Sequence, residues 1–241
     1  MIELRKEAEP ELIERIQGRV VYVFFVMVVL HLTYPYSLRG DLQNAIYLSL
    51  YLALLGSGVY LASISRVRTV TAVSLAVLNL GVGIPWVVTD GSIMWLTLTS
   101  YSLLIAFQAT IIVVLVEYIF VSRRVGRDTV YSACTIYIIL GNVFSAVYMI
   151  IHTLDPEAFV SSTLDMPLSW QYMVYFSYST LTTLGYGDIT PVSPWAQSIV
   201  GIEAMLGLLY IALILGRMAS NYGAHEEHKF GSDEPREQAK R

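Results

Sequence analysis

Polar and charged residues along this chain are confined to short breaks between long apolar runs. Six runs approach the roughly 20 mostly apolar residues that a bilayer-spanning helix needs: 17–36, 42–64, 69–88, 93–121, 128–152 and 194–217. The breaks fall at Pro35 and residues 39–41, at Arg66 and Arg68, at Asp90 and Gly91, and over 123–127. The run at 93–121 would be about 43 Å long as a helix, against a hydrocarbon core of about 30 Å, so it is expected to tilt or protrude. Pro85, with Gly81 and Gly83, is expected to bend the third span near one end.

The stretch between the fifth and sixth runs follows another pattern. Residues 153–168 are polar and acidic, with Asp155, Glu157 and Asp165. The sequence WQYMVYFSYSTLT, 170–182, then reads as a short apolar helix. It is too short to cross about 30 Å of hydrocarbon. The chain must be outside again before Pro194 if the sixth span is to end inside. The segment is therefore predicted to enter and return on the same side. Bilayers tolerate such re-entrant backbone only where it packs in protein or lines a wet cavity, so a pore lining is expected.

Composition supports a membrane setting. The 241 residues are 55% hydrophobic and 14% charged, where a soluble domain carries about 25% charged residues. Too little polar surface remains to cover one water-soluble core. A net charge of −4, without a basic stripe, excludes nucleic acid as a partner and leaves the lipid bilayer. The single cysteine, Cys134, excludes an intrachain disulfide framework and is read as a small buried hydrophobe. With the N-terminus inside, 14 of the 15 Lys and Arg residues fall on the inner side, Arg39 being the exception. That bias predicts six spans with both termini cytoplasmic, in the plasma membrane. Trp86, Trp95, Trp170 and Trp195 then lie near the outer interface. No small-residue cleavage site follows the first run, so it is read as an uncleaved anchor. The segments are an N-terminal stretch 1–16, with 10–18 as a short interfacial helix, a four-helix domain 17–121, a linker 122–127, a pore domain 128–217 and a polar tail 218–241.

The return leg after the short helix reads Thr182-Thr183-Leu184-Gly185-Tyr186-Gly187-Asp188. TTLGYGD resembles the selectivity-filter signature of tetrameric potassium channels, whose TVGYG loop is a worked case of backbone carbonyls replacing an ion's hydration shell. The resemblance covers about 128–217, in a six-span layout of prokaryotic type. It implies an all-α membrane protein with a pore helix (170–182) and filter (183–188) between outer and inner helices. It also implies a fourfold homotetramer conducting K⁺, with no cofactor besides the permeant ion. By the resemblance, the carbonyls of Thr183, Leu184, Gly185 and Tyr186, with the Thr183 hydroxyl, bind K⁺. Thr182, Gly187, Asp188, Tyr175 and Ser179 then support the filter. Leu184 stands where valine is commoner. Ser179 stands where some members carry a glutamate partner for Asp188, so a Tyr175–Asp188 hydrogen bond is expected instead. Tyr186 is expected to pack on Tyr175 and Tyr178.

Other polar residues in the spans are weighed on position. Glu203, about two turns into the sixth span, is expected to brace the pore helix from behind, with a gating role as the alternative. Gly207 and Gly216 are read as inner-helix hinges or as close-packing sites. His31 and His152 are taken as interfacial polar residues, and Glu117 as reaching water at the inner end of its span. The acids of the outer loop are ordinary solvated groups or a means of concentrating cations at the mouth. The run 93–121 holds no Arg or Lys, so steep voltage dependence is not expected from spans one to four. The tail is too short for a regulatory domain, and its HEEH is read as solvated. No HExxH or nucleophile–base pairing at helical spacing suggests an enzyme. The alternatives are a less selective monovalent cation channel and a non-conducting sensor or regulatory subunit.

Overall fold

The computed structural model describes residues 16–33, 41–89, 91–122, 126–162 and 168–238, the side chains of 41–47, 215 and 218–238 excepted. Most of the N-terminal segment 1–16, together with Asp165, lies outside the described residues. In chain order the elements are α1 (Arg19–Thr33), α2 (Asp41–Ala62), α3 (Arg66–Val88), α4 (Met94–Val121), α5 (Arg127–Leu154), β1 (Phe159–Ser161), α6 (Trp170–Leu181), β2 (Ile189–Pro191) and α7 (Pro194–Gln238). Among the described residues, four helices have the length and apolarity to cross a membrane: Arg66–Val88, Met94–Val121, Arg127–Leu154 and Pro194–Ile214. The first two predicted spans are represented by shorter apolar helices, Arg19–Thr33 and Leu48–Ala62.

Local chemistry sets the helix boundaries. The Ser65 side chain caps α3 by accepting from the Arg68 N–H at 3.4 Å, which satisfies one of the orphan donors of the first turn. Pro85 sits inside α3, and the helix stops three residues later with Thr89 as its C-cap. In α1, Val20, Val23, Met27 and Leu30 are buried at helical spacing. They share one core with Leu54, Leu55 and Leu61 of α2, Phe107, Ile111, Val114 and Leu115 of α4, and Ile136 and Ile139 of α5. Gly58 is needed there, because a Cβ would lie 2.8 Å from the Phe107 ring. A second, more aromatic core joins Tyr148 of α5 to Phe159 of β1, Met173 and Phe176 of α6, Ile189 of β2 and Ala196 of α7. Helix α5 belongs to both cores and links the α1–α4 bundle to the α6–α7 hairpin.

Several expectations are corrected. The fold is not purely helical: β1 and β2 pair antiparallel, with Val160 opposite Thr190. Strands of three residues are too short to produce a readable alternation. Cys134 is exposed on the protomer rather than buried. Glu117 does not simply reach water; it pairs with Arg68 at 2.7 Å, both side chains being partly exposed. The inner helix does not end at 217 but continues to Gln238, through a segment rich in helix formers such as Ala, Glu and Lys. Arg217 donates to the carbonyls of Ile119 and, at 3.1 Å, Ser122. It thereby caps the C-terminal end of α4 and fastens the inner helix to it.

Candidate functional site

Helix α6 is short because its last turn closes on itself. The Thr182 N–H and hydroxyl both donate to the Tyr178 carbonyl, at 3.0 and 2.6 Å, and the Thr183 N–H turns back to the Thr180 carbonyl at 2.9 Å. The next amides converge on one residue. The N–H groups of Leu184 and Gly185 donate to the Ser179 carbonyl at 2.8 and 3.1 Å. The Tyr186 N–H reaches the Ser179 hydroxyl at 3.4 Å.

In a planar trans peptide the carbonyl points opposite to the N–H of the same unit, and no peptide here is cis. The carbonyls of Thr183, Leu184 and Gly185 therefore all turn away from α6, to one common side. An ordinary strand would alternate them. The alternation is undone because every second residue is left-handed: Thr183 has φ 60°, Gly185 57° and Gly187 77°. Glycine adopts this without a Cβ penalty. At Thr183 it costs about 1–2 kcal/mol, a strain that the surrounding hydrogen bonds must hold. Residues 183–187 are exposed on the single protomer, so the strip of oxygens lies at its surface.

The supporting residues divide by direction. The Tyr175 ring stacks on Tyr186 at 6.0 Å and 8°. Tyr178 does not join them, contrary to expectation. Its hydroxyl donates to the Ile138 carbonyl at 2.7 Å, lies 2.9 Å from His31 Nε2 and accepts from Asn142 at 3.3 Å. Gly141 makes the room, since a Cβ there would lie 2.4 Å from the Tyr178 ring. His31, read as an interfacial polar residue, is thus engaged with α6. Asp188 accepts from the Ser162 N–H on its backbone carbonyl at 2.9 Å and from the Ile189 N–H on its carboxylate at 3.1 Å.

Behind α6, Glu203 is fully buried, with its carboxyl between the hydroxyls of Tyr148 and Ser177. Gly207 is a close-packing site: a Cβ would lie 2.1 Å from the Leu181 carbonyl oxygen. At Gly216 a Cβ would meet nothing within 4 Å, and α7 runs unbroken through both glycines. Sequence reasoning missed Ser177, Tyr148 and Tyr137 as neighbours of this site. Their signal, hydroxyl residues in apolar helices, is too common to read alone. Among the described residues no group of three or more His, Cys, Asp or Glu could hold a metal ion, and the HEEH side chains lie outside them.

Residues 127–222 match the family model described as "Ion channel". This segment is similar to ion-channel domains. Its relatives include the potassium voltage-gated channel protein shk-1 of Caenorhabditis elegans, 40% identical over 48 residues, which are 20% of this chain and 9% of that protein. The inward rectifier potassium channel Kirbac3.1 of Paramagnetospirillum magnetotacticum is 38% identical over 47 residues, 20% of this chain and 16% of that one. The uncharacterized membrane protein YdjJ of Bacillus subtilis (strain 168) is 31% identical over 78 residues, 32% of this chain and 23% of that one. The chain thus spans less than a quarter of the length of each of these relatives. No solved structure matches. Over the matched stretches the chain is similar to potassium channels, the family that TTLGYGD resembles.

Proposed function

We propose that this chain is the subunit of a potassium-selective channel. Four copies surround one axis, and K⁺ passes between the carbonyls of Thr183, Leu184, Gly185 and Tyr186 and the Thr183 hydroxyl. The observation that carries the reading is the convergence of three consecutive amides on Ser179, with left-handed residues at 183, 185 and 187. One protomer supplies only one strip of oxygens, and a dehydrated cation must be surrounded. The exposed apolar residues Met205, Leu208, Leu209 and Leu213 of α7 fit a helix covered by other copies and lipid. The C-terminal end of α6 would add about half a negative charge toward a cation held below the filter. Six spans, cytoplasmic termini and a plasma-membrane location complete the proposal. A Tyr175–Asp188 bond would hold the filter open.

The test is ion flux from proteoliposomes made with the purified protein. A reversal potential that follows the K⁺ gradient and ignores Na⁺ supports the proposal. One that follows K⁺ and Na⁺ alike favours a less selective cation channel. No flux under any condition of pH, voltage or divalent cation favours a non-conducting subunit.

A further inference from the structure

The pore helix is gripped by two rungs, each one helical turn from the other. In the upper rung, Ser177 of α6 meets Gly141 of α5 and Glu203 of α7. In the lower rung, Leu181 of α6 accepts from the Tyr137 hydroxyl of α5 at 3.0 Å and lies against Gly207 of α7. The partners are spaced four apart on all three helices: 177 and 181, 141 and 137, 203 and 207. Residues four apart share one helix face, so one face of α6 is registered at once against α5 and α7. Tyr148 extends the upper rung by donating to Glu203. Ser177 lies two residues before Ser179, which holds the filter amides.

Counting protons in the upper rung defines what Glu203 supplies. There are three contacts: Tyr148 with Glu203 Oε2, Ser177 with Glu203 Oε1, and Ser177 with the Gly141 carbonyl at 2.7 Å. Tyr148 and Ser177 bring one hydroxyl proton each, and a carbonyl brings none. With one acceptor per proton, two protons cannot serve three contacts. The chain closes when Glu203 donates from Oε1 to Ser177, Ser177 donates to Gly141, and Tyr148 donates to Oε2. No cation pairs with Glu203 among the described residues. A buried polar network of this kind fixes geometry only when every member is satisfied.

We infer that Glu203 is a positioning residue for the filter, acting as one acceptor and one donor that lock Ser177 and hence the pore-helix end between the outer and inner helices. The inference rests on the reading of residues 183–186 as an ion-binding strip. It distinguishes two substitutions. Gln offers the same acceptor and donor, so Glu203→Gln keeps the rung. Leu offers neither: the buried Tyr148 hydroxyl loses its acceptor, and Ser177 keeps only the Gly141 carbonyl.

The experiment compares wild type, Glu203→Gln, Glu203→Leu and Ser177→Ala in proteoliposomes under K⁺/Na⁺ gradients, after oligomer size is matched by gel filtration. Glu203→Gln is expected to conduct within about twofold of wild type with the same K⁺/Na⁺ reversal potential. Glu203→Leu and Ser177→Ala are expected to lose about tenfold or more in K⁺ flux, or to lose K⁺/Na⁺ discrimination, the effect of leaving buried polar groups unpaired. Assembled Glu203→Leu behaving as wild type would overturn the positioning role. Glu203→Gln as impaired as Glu203→Leu would overturn the donor assignment. Infrared difference spectra of Glu203→Gln against wild type are expected to show loss of one protonated-carboxyl stretching band. This reading needs no conduction and no Leu variant, so it stands apart from failure of the channel proposal. Absence of that band in wild type likewise overturns the donor assignment.

Discussion

Replacing Gly207 by Ala inserts one methyl group where two helices are already in contact. The new Cβ would sit 2.1 Å from the Leu181 carbonyl oxygen and 3.0 Å from its carbonyl carbon, where real Cβ contacts do not fall below 3.0 Å. Relief requires α6 and α7 to separate by roughly 1 Å, which forfeits a quarter to a half of the dispersion well across the contact. The obstacle is backbone, so no rotamer change avoids it. The Leu181 carbonyl also holds the Tyr137 hydroxyl, and the same separation pulls Ser177 from Glu203. Overpacking in a filled interior costs about 1–3 kcal/mol, and the upper end applies here. At about 2–4 °C per kcal/mol for a chain of this size, the thermal midpoint should fall by about 6–12 °C. The assay is thermal unfolding of the detergent-solubilised protein, with Gly81→Ala as control. A Cβ at Gly81 meets nothing within 4 Å, and Ala is the better helix former, so the control should be neutral or stabilising. If Gly207→Ala melts within 1–2 °C of wild type, by the same scale, the tight apposition of α6 and α7 is refuted.

Four further outcomes are expected. Gly185→Ala places a Cβ on a residue at φ 57°, at about 1–2 kcal/mol per subunit. K⁺ flux or K⁺/Na⁺ discrimination should be lost, and an unchanged reversal potential would refute the proposed filter. Tyr178→Phe removes the hydroxyl shared by Ile138, His31 and Asn142 and should cost about 1–3 kcal/mol in thermal unfolding. Glu117→Gln breaks an ion pair whose side chains are 31% and 40% exposed, so stability should change by less than about 1 kcal/mol. Tyr175→Phe should speed loss of conduction during sustained activity if its hydroxyl holds Asp188, and unchanged single-channel records would dismiss that bond.

The apolar runs and their breaks determined by themselves where helices lie, because a segment with no polar group to solvate must close its backbone hydrogen bonds internally. Residues 127–154 and 170–181 behave accordingly. Glycines 185 and 187 were legible for the same local reason, being the residues that take left-handed φ without strain. Thr183 was not legible: its φ of 60° is imposed by hydrogen bonds from outside its own dipeptide. Local sequence also could not decide which way Tyr175 and Tyr178 turn, since both are aromatic residues on one short helix. Gly141 on another helix settled that by leaving room for Tyr178. The partners of Glu203 lie 26 and 55 residues away in sequence. Only the packing of three helices brings them together, because a hydrogen bond depends on distance in space and helical periodicity carries no information about which helix will be the neighbour.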